Sequence, residues 1–100
     1  MIAELRYYTI TPGKAEDLFA QFREVSLPLF ERHGISAHGP WLRTLQKGEQ
    51  LVYIVEFEDE GDKERRWAAF RDDPDWVAVQ QAGAGQPPLV AGIDTVALER

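Results

Sequence analysis

The chain has 100 residues, a net charge of −6, 44% apolar and 28% charged residues, and no cysteine. Such a length gives one domain, residues 1–100, that buries about two-thirds of its unfolded surface, and the composition excludes a disordered chain. The acidic balance argues against a nucleic-acid partner, which needs a basic footprint, and against anionic membranes, while the missing cysteines exclude disulfides, thiolate nucleophiles and cysteine metal sites.

No apolar run approaches the roughly 20 residues of a membrane helix. Met1 leads straight into strand-like residues without the pattern of a signal peptide, so the expected location is the cytoplasm.

From Ile2 to Ile10 the side chains alternate. Ala3, Leu5, Tyr7 and Thr9 share one face, which suits a cover of helices; Ile2, Glu4, Arg6, Tyr8 and Ile10 share the other. The second face mixes opposite charges, a phenol and apolar ends. A dry core holds such charges only as a pair, so this face reads as the wall of a partly wet cavity or as an interface. A surface ion pair between Glu4 and Arg6 is the plainer alternative, contributing about 0–1 kcal/mol.

Thr11-Pro12-Gly13 ends the strand, with Thr11 placed to cap a helix and Pro12 at its first position. The helix spans about Lys14 to His33. Ala15, Leu18, Phe19, Phe22, Val25, Ser26, Leu29 and Phe30 recur at three- and four-residue steps as one apolar stripe. Acidic residues open it, Arg32 and His33 close it, and Gly34 is a left-handed stop. Pro28 removes the bond to the carbonyl of Glu24 and is expected to kink the helix over a sheet.

Ile35 to Leu45 reads as an edge or bulged strand broken at Gly39-Pro40. A turn at Lys47-Gly48-Glu49 leads into Gln50–Glu58, apolar on both faces and therefore central. A second helix runs from the acidic Asp59–Asp62 stretch to about Arg71, with Trp67 and Phe70 on its buried side. A short helical turn follows, with Asp73 as cap and Pro74 first, and Trp76, Val77 and Val79 need cover. Gly83 to Pro88 is a flexible loop and Gly92 to Leu98 a last strand.

The order β-α-β-β-α-β predicts an α+β, ferredoxin-like plait with one antiparallel four-stranded sheet. Helices cover one face of such a sheet. The other, assigned here to Ile2, Tyr8, Ile10 and apolar positions of the third strand, is expected to close on a second copy as a homodimer.

Glu4-Leu5-Arg6, Tyr8, Pro12-Gly13-Lys14, Leu27-Pro28 and Glu31-Arg32-His33-Gly34, followed by Trp41, Asp73-Pro74 and Trp76, resemble the NIPSNAP family over roughly residues 2–79. The resemblance implies the dimeric α+β barrel superfamily, whose plaits join sheet to sheet. It implies little about activity. Many bacterial members have none assigned, and the wider superfamily spans cofactor-independent monooxygenases, isomerases and haem-degrading enzymes, none of whose motifs stands here.

The residues that could carry chemistry are few. His33, at the helix end, is expected to serve the helix dipole. His38 is the candidate general base if it faces a cavity. Arg6 would orient an anionic or carbonyl group and Tyr8 would donate a hydrogen bond. Trp41 and Glu56 complete a candidate ligand-binding set with Arg6, Tyr8 and His38; alternatively an Arg6–Glu4 or Arg6–Glu56 pair seals the dimer. Trp41 and Trp76 could stack on an aromatic ligand or simply pack. The two histidines have no metal-ligand spacing, so neither metal nor cofactor is expected. Two functions compete: a homodimer that binds, or acts without a cofactor on, a small hydrophobic or aromatic ligand, and a non-catalytic dimeric assembly module. A nucleic-acid-binding plait is disfavoured by the acidic charge.

Overall fold

The computed structural model describes residues 1–100. Four strands, β1 (Ile2–Ile10), β2 (Ser36–Leu45), β3 (Gly48–Phe57) and β4 (Val90–Glu99), form one antiparallel sheet in the order β2-β3-β1-β4. Three helical stretches complete the β-α-β-β-α-β plait. The first comprises α1 (Ala15–Gln21), a π-helical turn (Phe22–Ser26) and α2 (Leu27–Arg32); the others are α3 (Glu60–Asp72) and α4 (Pro74–Ala82).

The register decides which face the helices cover. Ile2, Glu4, Arg6 and Tyr8 stand opposite Phe57, Val55, Tyr53 and Leu51, and directly opposed residues share a face. Those four β3 residues are buried with Phe22, Leu29, Phe30 and Phe70 of the helices. The even-numbered residues of β1 therefore lie beneath the helices, reversing the expected assignment. The open face carries Ala3, Leu5, Tyr7 and Thr9, with Val52 and Ile54 of β3. The charges of Glu4 and Arg6 suggested an uncovered face, but partners in the helical layer neutralise them there.

Both edge strands carry a bulge. The register of β2 slips between His38 and Trp41, across Gly39-Pro40, so both side chains share the open face with their partners Ile54 and Val52. On β4, Thr9 pairs with Gly92 and Ile10 with Val90, leaving Ala91 extra. Val90 and Ile93 consequently both face the helices, although they are an odd number of residues apart.

Local signals explain most element ends. Asp59 accepts from the amide of Asp62 at 2.7 Å and Asp73 from that of Asp75 at 2.9 Å, capping α3 and α4. Gly34 takes φ 68°, where a side chain would be strained. Thr11 does not cap α1, whose N-cap is Lys14 with no side-chain bond. Its hydroxyl instead donates to the carbonyl of Pro88 at 2.6 Å, tying the end of β1 to the loop before β4. Just before Pro28 the helix is interrupted by a π-helical turn. This wider turn, closed by the Leu27 amide on the Phe22 carbonyl, accommodates a ring that a regular helix would drive into the Glu24 carbonyl. Trp76 packs on Phe70 with ring centroids 4.8 Å apart, whereas Val77 stays exposed.

Candidate functional site

A cavity of about 540 Å³ lies between the sheet and the helical layer. Leu18, Gln21, Phe22, Ser26 and Phe30 make one wall, from α1 to α2; Trp67, Phe70, Trp76, Val79 and Gln80 make the other, from α3 and α4. The loop Gln86–Leu89 forms the rim, and Tyr8, Val90 and Ile93 of β1 and β4 form the floor. The β4 bulge aims both Val90 and Ile93 at this space, and the bond from Thr11 to Pro88 holds the rim. Most of the lining is apolar or aromatic, the usual character of a small-molecule pocket.

A chain of polar groups runs under the floor. Tyr8 and Tyr53 bring their hydroxyls within 2.6 Å of each other, and Arg6 Nε donates to the Tyr53 hydroxyl at 2.8 Å. Arg6 Nη1 reaches Glu4 Oε1 at 2.5 Å, and Lys63 Nζ on α3 reaches Glu4 Oε2 at 2.8 Å. The guanidinium lies 4.9 Å from the Trp67 ring centroid, a cation–π distance. Burial works to raise the pKa of Glu4, but Lys63 and Arg6 outweigh it and leave the carboxyl lowered. Burial works against the charge of Arg6 too, and the two phenol oxygens with Glu4 hold its pKa up. Burial, followed by Tyr8, pushes the Tyr53 phenol up, so it stays protonated. No buried side-chain nitrogen or oxygen lacks a partner.

Of the residues singled out from sequence, Arg6 and Tyr8 stand together on the helix side, with only Tyr8 lining the cavity. His38, Trp41 and Glu56 lie on the opposite face of the sheet and do not join them. His38 Nε2 and Glu56 Oε1 pair at 2.6 Å across β2 and β3, while Trp41 is 52% exposed. The Arg6–Glu4 pair is covered by α3 through Lys63 and cannot seal a contact made on the open face. Sequence reasoning missed Tyr53, Lys63 and Trp67 as members of the polar chain. Tyr53 carried a readable signal: a phenol among buried aliphatic positions of a central strand requires a hydrogen-bond partner.

His33 belongs to a separate cluster that fastens α2 to α4. Its Nε2 lies 2.7 Å from Asp73 Oδ2, and Arg32 Nη1 bridges Asp73 and Asp75 at 3.0 and 2.9 Å. The bond from His33, then the amide of Asp75 and the charge of Arg32, hold the Asp73 carboxyl at about 2. Arg66 donates to the His33 carbonyl at 2.9 Å and closes the helix end. No three His, Asp or Glu side chains converge at a spacing that could hold a metal ion.

The family model of NIPSNAP matches residues 3–87. The chain belongs to the NIPSNAP family. Solved NIPSNAP structures share its fold. An uncharacterised NIPSNAP domain protein from Burkholderia xenovorans is 20% identical, with a TM-score of 0.84 over 100% of this chain and 94% of that one. A NIPSNAP family protein of unknown function from Agrobacterium tumefaciens is 17% identical, with a TM-score of 0.83 over 100% and 87%. A more distant likeness, 17% identical with a TM-score of 0.60 over 100% and 94%, is to a mutant of MhuD with two manganese protoporphyrin IX bound per active site. No curated protein sequence matches. No helix of this NIPSNAP domain is long and apolar enough to cross a membrane.

Proposed function

We propose that this NIPSNAP domain is a homodimeric binder of a small hydrophobic or aromatic molecule, held in the cavity between sheet and helices. The observation that carries the reading is the cavity itself: about 540 Å³, walled by Phe22, Phe30, Trp67, Phe70 and Trp76, with Tyr8 at its floor. The lining holds no carboxylate, imidazole or amine. General acid–base chemistry therefore has only the phenol of Tyr8 to draw on, and the reading favours binding over turnover. Of the side chains that ligate a porphyrin's metal, these walls hold no histidine, cysteine or methionine and one tyrosine, Tyr8. The ligand proposed is a small one.

The homodimer rests on the open face of the sheet. Leu5, Tyr7, Val52 and Ile54 run across its middle, flanked by Trp41, Val96 and Leu98, which are 44–52% exposed. An apolar surface of that extent on one chain is the mark of an interface, and a two-fold pairing of identical faces buries it on both copies. The same observation favours a second reading, a non-catalytic dimeric assembly module in which the open face is the functional surface and the cavity holds nothing.

Indole N–H resonances separate the readings, because Trp67 and Trp76 line the cavity and Trp41 lies on the open face. Titration with toluene is expected to shift the Trp67 and Trp76 signals and leave that of Trp41. Unmoved Trp67 and Trp76 signals would remove the binding reading. Sedimentation at micromolar concentration is expected to give twice the chain mass; a single-chain mass would overturn the dimer.

A further inference from the structure

We infer that the cavity recognises a ligand bearing a hydrogen-bond-acceptor oxygen, a carbonyl or an oxyanion, which Tyr8 binds as donor. The inference rests on the binding reading above and specifies its ligand. It follows from the direction of the hydrogen bonds under the floor. Tyr53 is 0% exposed, and its hydroxyl has two partners, Arg6 Nε at 2.8 Å and the Tyr8 hydroxyl at 2.6 Å. A guanidinium can only donate. The Tyr53 oxygen therefore accepts from Arg6, and its own hydrogen has one acceptor in reach, the Tyr8 oxygen. Were Tyr8 to donate instead, the buried Tyr53 hydrogen would have no partner, the costlier arrangement. The order is thus Arg6 to Tyr53 to Tyr8, each donating to the next.

The hydrogen of Tyr8 is left over, and Tyr8 is the member of the chain that lines the cavity. Glu4 and Lys63 fix the far end, because Glu4 holds Arg6 Nη1 while Lys63 neutralises the second carboxylate oxygen. Arg6 and Tyr53 are positioning residues that orient the Tyr8 hydroxyl and, through successive donation, sharpen its donor strength. The aromatic walls supply the apolar body of the pocket. The ligand that fits is an aromatic ketone, aldehyde or phenolate whose oxygen points down at Tyr8.

The test uses two probes of like shape, acetophenone, which carries an acceptor oxygen, and isopropylbenzene, which does not. Calorimetric titration of the wild-type protein is expected to favour acetophenone by about tenfold, the net effect of one hydrogen bond. Tyr8→Phe is expected to erase that preference, bringing the two probes to equal affinity. The infrared carbonyl band of bound acetophenone should move to lower wavenumber in the wild type and by less in Tyr8→Phe, a readout that loss of fold cannot imitate. Equal affinities for the two probes in the wild type, or a preference that survives Tyr8→Phe, would overturn the donor assignment with the binding reading intact. Binding of neither probe would overturn both.

Discussion

On one face of β3, Leu51, Tyr53, Val55 and Phe57 are at most 3% exposed. On the other, Val52 and Ile54 stay partly open, and the edge strands beside them leave Trp41, Val96 and Leu98 uncovered. The buried face nevertheless holds charges, Glu4 and Arg6, among its apolar residues, while the open face sets Glu56, Arg43 and Asp94 beside its apolar rows. Charge does not mark the outside of this sheet. A charged side chain can be buried where another element brings its partner, and here α3 supplies Lys63 and β3 supplies Tyr53. The open face has no such layer over it, and its apolar rows stay partly exposed.

The largest effect that would sharpen this contrast is truncation on the buried face. Tyr53→Ala is expected to cost about 3–5 kcal/mol of stability, measured by urea denaturation. Trp41→Ala on the open face, at a concentration dilute enough for single chains, is expected to stay within about 0.5 kcal/mol. Equal costs would mean that the two faces do not differ as described. A charge in the middle of the open face should act on association instead. Ile54→Lys is expected to weaken self-association about a hundredfold or more by burying an unpaired ammonium, seen as a fall to single-chain mass in sedimentation, with circular dichroism unchanged. Glu4→Gln tests whether the buried charges are held by each other. It leaves Arg6 and Lys63 facing a neutral amide, with an expected loss of about 1–3 kcal/mol in the same denaturation experiment.

The smallest effect concerns how the helical layer is fastened over the buried face. Asp73 is held at about 2, below its ordinary 3.8, by His33 first and then by the Asp75 amide and Arg32. Its folded value is the lower one, so its stabilisation is complete above the unfolded value and is lost as pH falls through about 2. The stability gap between wild type and Asp73→Asn is therefore expected to narrow on acidification from about pH 4 to about pH 2. A gap that stays constant over that range would remove Asp73 from the acid response.

Much of the plait was legible in the chain. The order of elements, the caps at Asp73-Pro74, the stop at Gly34, the break at Gly39-Pro40 and the central place of β3 each follow from local chemistry, and the family resemblance agrees with the family match over residues 3–87. Alternation along β1 separated the two sets of side chains correctly. It could not say which set the helices cover, because that depends on Lys63 and Tyr53, distant in sequence. Site residues suffered for the same reason. Arg6 and Tyr8 meet because both are even positions of one strand, whereas His38 and Trp41 were grouped with them without knowing on which side β2 presents its side chains. The rim at Gln86–Leu89 read only as a flexible loop, since its tie to Thr11 spans 77 residues.

The π-helical turn at Phe22–Ser26 has a consequence for the straightness of the cavity wall. Leu18, Phe22, Ser26 and Phe30 are spaced four apart, and all four line the cavity. In a regular α-helix each four-residue step advances the facing direction by about 40°, so three steps would carry the last side chain about 120° from the first. A wider turn in the middle winds more slowly and takes out part of that drift. The row then behaves as a rail along one side of the cavity, instead of a spiral that leaves it halfway.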